Sequence, residues 1–247
     1  MKVTINDRIA RVDFDRAATA NSLDLAAWQA LEDTFTGLSA NDEVNVIVLT
    51  GTGKHWCAGM DLVVLHGLAA QAQPVGPETR AKLAGFIAKI QRNITAIAKC
   101  DKPVLAAIQG GCIGGGVAIA TACDIRYCSA DAYFVVKEID FGIVADIGTL
   151  QRLPRIINPG LTTELAMTGR KMGADEGKSV GFVNAVLPDY EELIQHTLSV
   201  AKQIAEKDAA AITGIKHQLA YAADHNLENS LEAVAHYSAG VMMRKLS

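Results

Sequence analysis

The sequence is poor in aromatic residues: Phe, Trp and Tyr make up 5% of 247 residues, against a hydrophobic total of 50%. A core of this kind relies on aliphatic side chains and closely packed backbone, and the 21 glycines fit it. Positive charge is not in surplus either. Lys plus Arg is 23 and Asp plus Glu is 27, a net of −4, which disfavours nucleic acid or an anionic membrane as the main partner. The five cysteines, Cys57, Cys100, Cys112, Cys123 and Cys128, show no CxxC spacing, and an odd number in apolar or loop contexts reads as reduced core thiols. No two of the six histidines stand three to five residues apart, so a helical metal pair is excluded. The start of the chain, Met1 to Ile5, resembles neither a signal peptide nor an Arg-rich transit segment. Lys245-Leu246-Ser247 scrambles the peroxisomal Ser-Lys-Leu order, and a cytoplasmic location is the expectation.

One long uncharged run is present. Pro103 to Cys123 is long enough in principle to span a bilayer, but it contains Gly110, Gly111, Gly114, Gly115 and Gly116. Each interior Gly costs a helix about 1 kcal/mol relative to Ala, so a single helix is a poor reading. A buried strand over 104–108, a glycine turn and a buried helix over 115–123 fit better.

Elsewhere, Ile9 to Phe14 alternates as a half-buried strand, and Ser22 or Asp24 can cap a helix that places Leu25, Trp28, Leu31 and Phe35 on one face. Val44 to Leu49 reads as a strand buried on both faces. Leu68 to Pro77, rich in Ala, Gln and Pro, reads as a mobile insertion before a long amphipathic helix with Leu83, Phe86, Ile87, Ile90, Ile94 and Ile97 at helical spacing. Strands follow near 125–128, 133–136 and 183–186, and three helices over roughly 191–206, 209–224 and 227–243 close the chain. Strands alternating with helices before a helical tail predict an α/β fold with a helical C-terminal appendage.

The glycine cluster does not fit nucleotide motifs. No Gly-x-Gly-x-x-Gly register exists, and Gly116 stands where a P-loop requires Lys. What remains is a strand ending in a glycine turn and a helix starting in glycines, whose free N–H groups and positive dipole end can face an anion. Close packing of helix on strand accounts for the same glycines equally well.

A second loop, His55-Trp56-Cys57-Ala58-Gly59-Met60-Asp61-Leu62, adds to this. With Asn21-Ser22-Leu23 before it and Lys102 to Gly110, Gly114 to Gly116, Ala122 to Arg126 and Gly148 to Pro154 after it, in the family's order, it resembles the crotonase family of acyl-CoA enzymes over most of the chain. The resemblance implies a spiral of strand-strand-helix turns, with a core over residues 1–190 and a helical C-terminal trimerisation region over 191–247. It also implies a homotrimer or homohexamer acting on an acyl-CoA thioester, with no cofactor beyond the CoA of the substrate, no metal, no nucleic acid and no membrane. Two backbone N–H groups, by position those of Met60 and Gly115, would hold the thioester oxygen as it becomes an enolate.

Family members differ in the acids and bases around that enolate. Hydratases carry two glutamates twenty residues apart, and those positions here are Ala118 and Glu138. A methyl group can neither orient water nor pass a proton, so hydration should be slow or absent. Asp146 stands eight residues past Glu138, and the segment from Lys137 to Gly148 is most similar to the Δ3,5-Δ2,4-dienoyl-CoA isomerases, in which the matching pair moves protons along the acyl chain. An aspartate expected at Ala118 in those isomerases is missing, which keeps open a Δ3-Δ2-enoyl-CoA isomerase using Glu138 alone. The structural alternatives are a salt bridge from Glu138 to Lys137 or Arg152 and a helix cap by Asp146. Apolar stretches before each carboxyl, including Phe141 to Ala145, favour raised pKa values and a proton shuttle. For CoA, Lys54 matches a phosphate-side lysine of the family, and Ala20, Ala58, Gly59, Asp61 and Gly111 line the expected path. Two other lysine positions hold Ala18 and Val63, and Arg16 or a neighbouring subunit is the expected substitute.

Overall fold

β-Branched and aliphatic runs build the sheet, and glycine turns break it into strands. The computed structural model describes residues 1–246, leaving aside the side chains of Ala69, Gln71, Lys245 and Leu246. Ser247, the end of the terminal tripeptide discussed above, lies outside the described residues. Strands β1 (Lys2–Asn6) and β2 (Ile9–Phe14) form a hairpin, and helix α1 (Leu25–Ser39) leads to β3 (Val46–Gly51). Helices α2 (Leu62–Gln71) and α3 (Pro77–Lys99) precede β4 (Val104–Ile108), after which β5 (Gly111–Ile113) runs into α4 (Gly115–Ala122). Then come β6 (Ile125–Ser129), β7 (Tyr133–Val135), α5 (Thr149–Arg152), α6 (Pro159–Thr168), β8 (Met172–Gly173), α7 (Ala174–Ser179) and β9 (Ala185–Leu187). Helices α8 (Tyr190–Ala205), α9 (Ala209–Asp224) and α10 (Leu227–Leu246) close the chain.

Six strands form one sheet in the order β1-β2-β3-β4-β6-β9, parallel from β2 onward. A second sheet, β5-β7-β8, pairs Gly111 with Tyr133 and Ile113 with Val135 in parallel. The short strands β5 and β8 have no period to betray them in sequence. Every residue of β3 and β4 is buried, as their charge-free runs predict. Trp28, Leu31 and Phe35 of α1 meet Ile90, Ile94 and Ile97 of α3 in the main core, all at most 1% exposed. Each such side chain contributes about 1.5–3 kcal/mol on burial. On the other face of the sheet, Leu193, Ala201 and Ala205 of α8 cover Val46, Val48, Leu105 and Ala107.

The expected insertion over 68–77 is corrected in its first half. Leu62–Gln71 is a helix, leaving only a short connection before Pro77 opens α3. Leu and Ala are strong helix formers, so the composition that reads as a loop serves a helix once Asp61 starts it. The Asp61 carboxylate accepts from Val63 N–H at 3.0 Å, and its carbonyl accepts from Leu65 N–H at 3.0 Å. All five cysteines are free and buried.

Candidate active site

Parallel strands bring their C-terminal ends to one side, where loops from different strands meet. Here the loop after β3 and the turn after β4 are stitched together by backbone hydrogen bonds. Trp56 N–H donates to Gln109 O at 2.9 Å, Cys57 N–H to Gly111 O at 3.2 Å, and Ile113 N–H back to Cys57 O at 2.9 Å. Side chains complete the seam. His55 Nδ1 accepts from Gly111 N–H at 3.0 Å, and Gln109 Nε2 donates to Gly51 O at 2.6 Å. Buried Asn21 has a positive φ of 55° and donates to both Thr52 O and His55 O at 2.8 Å. The Asn21-Ser22-Leu23 segment therefore serves to hold the loop in place.

The seam sets Gly59 directly on Gly115. A Cβ on Gly59 would lie 2.6 Å from Gly115 N and 2.7 Å from Ile113 O, and Gly59 also has φ +77°. Close backbone approach, one of the two readings of the glycines, is thus real. Gly115 is the first residue of α4, where amides lack an intrahelical acceptor. Among the described residues neither the Met60 nor the Gly115 N–H donates a hydrogen bond. Two such amides can take an oxygen that is gaining negative charge.

Glu138 opens a short 3-10 turn (Glu138–Phe141) beyond β7, and its Oε1 lies 3.7 Å from where a Gly114 Cβ would be. Its Oε2 is buried with no hydrogen-bond partner. Burial raises the Glu138 pKa above the usual carboxylate range, and the nearby charge of Asp146 raises it further. Asp146 is raised as well, chiefly by burial. The two structural alternatives are not realised. Lys137 pairs with Asp140, Arg152 donates to Thr95 Oγ1 at 3.0 Å, and the cap position of α5 belongs to Gly148, with no side-chain cap bond. The apolar surroundings of Asp146 differ from expectation: Phe141, Ile143 and Val144 point outward at 47%, 42% and 66% exposure, and its immediate neighbours Ala145 and Ile147 are the buried ones. The reversal at Gly142, φ +68°, turns the run away from the core.

Ala118 is fully buried in α4, so no carboxylate stands at that position. Ala58 and Ala20 are joined by a hydrogen bond, Ala58 N–H to Ala20 O at 3.0 Å, and lie on the same seam as Gly111. Lys54 is exposed at its edge. Asp61 is occupied internally as the start of α2 and by Arg16 at 3.4 Å. Arg16 is corrected as a substitute cation: its guanidinium holds Asp24 and Asp61 and donates to Ser22 O at 2.7 Å. Sequence reasoning gave no role to His55 or Arg126. Arg126 is buried and donates to Cys123 O at 2.6 Å and Phe182 O at 2.7 Å, satisfying one carbonyl at the end of α4 and one in the connection between α7 and β9. A buried-strand pattern interrupted by Arg was the available signal. A cavity of about 400 Å³ adjoins the site through Ile147 and Gly148, and one of about 710 Å³ lies between α1 and α3. Among the described residues, no cluster of three or more His, Cys, Asp or Glu is placed to hold a metal ion, and no helix is long and apolar enough to cross a membrane.

The sequence profile of the enoyl-CoA hydratase/isomerase family matches residues 4–242, and the chain belongs to that family. Among its relatives, the mitochondrial Delta(3,5)-Delta(2,4)-dienoyl-CoA isomerase of Rattus norvegicus is 39% identical over 239 residues, covering 95% of this chain and 72% of that protein. The peroxisomal enzyme of the same name from Arabidopsis thaliana is 40% identical over 231 residues, covering 93% and 83%. In three dimensions the chain is similar to an enoyl-CoA hydratase from Bacillus anthracis, with a TM-score of 0.87 at 28% identity over 98% of this chain and 90% of that one.

Proposed function

We propose that the protein is an acyl-CoA isomerase that shifts double bonds of an enoyl- or dienoyl-CoA thioester, with Glu138 and Asp146 as the proton shuttle. The observation that carries this reading is the pair itself: two partly buried carboxyls with raised pKa values, one of them with an unpartnered oxygen, beside the Gly114-Gly115 turn. One carboxylate breaks a C–H bond next to the thioester, and the electron pair moves onto the carbonyl oxygen, held by the Met60 and Gly115 amides. The other group, protonated, gives its proton to the far carbon of the conjugated system as the double bonds move. No atom is gained or lost, and no cofactor enters. Carboxyl pKa values raised toward the working pH let the two groups exchange roles between turnovers. The relatives named above are dienoyl-CoA isomerases, which supports the longer shift.

A Δ3-Δ2-enoyl shift by Glu138 alone is the second reading, favoured by the orphaned Oε2 and the methyl at Ala118. Hydration is the third outcome to be tested. Purified protein with 3,5-dienoyl-CoA, 3-enoyl-CoA and 2-enoyl-CoA decides among them, followed by the dienoyl-thioester absorbance gained with the first and the 2-enoyl-thioester absorbance gained with the second or lost with the third. Turnover of the third alone, with water added, would overturn the isomerase reading.

The same proposal includes CoA along Ala20, Lys54, Ala58, Gly59, Asp61 and Gly111, and a cytoplasmic location. It includes a homotrimer or homohexamer assembled through residues 191–247. Exposed Ile215, Leu219, Leu227, Leu231 and Met242 on α9 and α10 support the assembly, and sedimentation velocity tests it.

A further inference from the structure

The two amides of the proposed oxyanion site sit on different loops, and α1 touches both. At its start, Leu23 N–H donates to Gly59 O at 2.7 Å and Asp61 N–H donates to Leu23 O at 3.0 Å, so Met60 is held between two bonds to the chain entering the helix. Arg16 ties the same corner, paired with Asp24 at 3.2 Å and Asp61 at 3.4 Å. Asp24 caps α1, its carboxylate accepting from Ala27 N–H at 2.8 Å. One turn further along, Trp28 packs against the residue that carries the other amide. A Cβ on Gly115 would lie 3.1 Å from Trp28 Cη2, 3.2 Å from Trp28 Cζ2 and 3.3 Å from Ile147 Cδ1. The indole therefore backs Gly115, and Gly115 is pressed on its other side against Gly59.

We propose that Trp28 is a positioning residue, which through α1 sets the spacing between the Met60 and Gly115 amides. This rests on the enolate reading above. A helix is a stiff connector, so the distance from its capped start to the indole is fixed by covalent geometry and packing, whereas the two loops alone could slide. The indole is also an odd choice for a purely apolar core position. Trp28 is fully buried and its Nε1 has no hydrogen-bond partner, a defect that Leu or Phe at the same place would avoid. What Trp adds over those residues is reach, and the atoms that provide it, Cη2 and Cζ2, are the ones that meet Gly115. Absence of a Cβ at residue 115 is what admits them.

The test uses acetoacetyl-CoA, whose enolate absorbs in the near ultraviolet where its keto form does not, bound at one fixed pH to the wild type, Trp28→Leu and Trp28→Phe. The wild type is expected to raise the enolate fraction above that of free acetoacetyl-CoA. Trp28→Leu should lose about tenfold to a hundredfold of that preference, part of the factor seen when an oxyanion donor is removed outright. Affinity for saturated butyryl-CoA should move less than about threefold, and kcat for isomerisation should fall in step with the enolate fraction while KM holds. Trp28→Phe, which lacks the Cη2 and Cζ2 atoms that meet Gly115, should lose an intermediate share of the enolate preference and of kcat. If Trp28→Leu does not give a cooperative melt, Trp28→Phe and Trp28→Tyr carry the comparison. Enolate preference in all variants equal to the wild type overturns the role of Trp28 and leaves the enolate reading standing. An equal loss of butyryl-CoA and enolate binding also overturns it, since that is general loosening. No enolate preference in the wild type overturns both.

Discussion

Gly59→Ala isolates the contact on which the site depends. The new methyl would stand 2.6 Å from Gly115 N and 2.7 Å from Ile113 O, both backbone atoms that cannot rotate aside. Residue 59 also has φ +77°, where an L side chain costs about 1–2 kcal/mol. For a chain of this length that backbone penalty alone lowers Tm by roughly 2–8 °C. The clash is relieved by moving the 58–60 loop off the start of α4, which separates the Met60 and Gly115 amides. Loss of one oxyanion donor typically costs about 3–4 kcal/mol of transition-state stabilisation, or about 100- to 1000-fold in kcat. Steady-state turnover of 3,5-dienoyl-CoA at a temperature where the variant is folded by circular dichroism separates the two effects, with KM expected to change far less than kcat. A variant that keeps kcat within threefold of the wild type while its melting temperature falls would refute the assignment of this glycine to the chemistry.

Replacing Glu138 with Gln should reduce turnover of both 3,5-dienoyl-CoA and 3-enoyl-CoA at least 100-fold, whereas Asp146→Asn should do so for the dienoyl substrate only, as measured by dienoyl-thioester absorbance for the first and 2-enoyl-thioester absorbance for the second. Loss with Glu138→Gln alone on both substrates favours the single-carboxylate mechanism. Because burial raises the Glu138 pKa in the folded protein, the native state binds more protons than the unfolded one between the ordinary and the raised value. Wild-type stability should therefore fall as pH rises through that window, and Glu138→Gln should melt higher than the wild type above it, with the gap closing toward acid. Equal melting temperatures at neutral pH would contradict the burial of this carboxyl and its unpartnered Oε2. Arg126→Leu should cost about 3 kcal/mol or more by leaving the carbonyls of Cys123 and Phe182 without a donor, read as a drop in the denaturation midpoint with an unchanged slope.

Strong periodicity made much of this molecule legible from residues alone. The strand over Val104–Ile108 and the helix starting at Gly115 follow from a charge-free run punctuated by glycine, and the cap at Asp24 from a polar residue before an apolar stripe. Short strands such as β5 and β8 were not legible, because two or three residues carry no period and are fixed by partners distant in sequence. The site divides the same way. Glu138 and Asp146 were picked out by their positions in the resemblance to the crotonase family, with apolar sequence before each in support, yet the outward turn of Phe141, Ile143 and Val144 depends on the backbone reversal at Gly142. Arg16 is misread from sequence for a related reason: a free cation and one locked between Asp24 and Asp61 look alike until the 59–61 loop is folded against α1.

The buried thiol of Cys57, three residues before Met60, bears on the survival of the protein in the presence of its own product. A conjugated 2,4-dienoyl thioester, the product of the proposed reaction, is an electrophile to which a thiolate adds at carbon. Burial pushes the Cys57 thiol up to about 12, so at neutral pH roughly one molecule in 100,000 carries the nucleophilic form. The sulfur is also fully enclosed and leans on the Gly59 N–H at 3.5 Å, away from any approach by solvent. A cysteine can therefore sit beside the proposed thioester site without becoming a target for alkylation, and a surface thiol reagent should leave turnover intact as long as the protein stays folded.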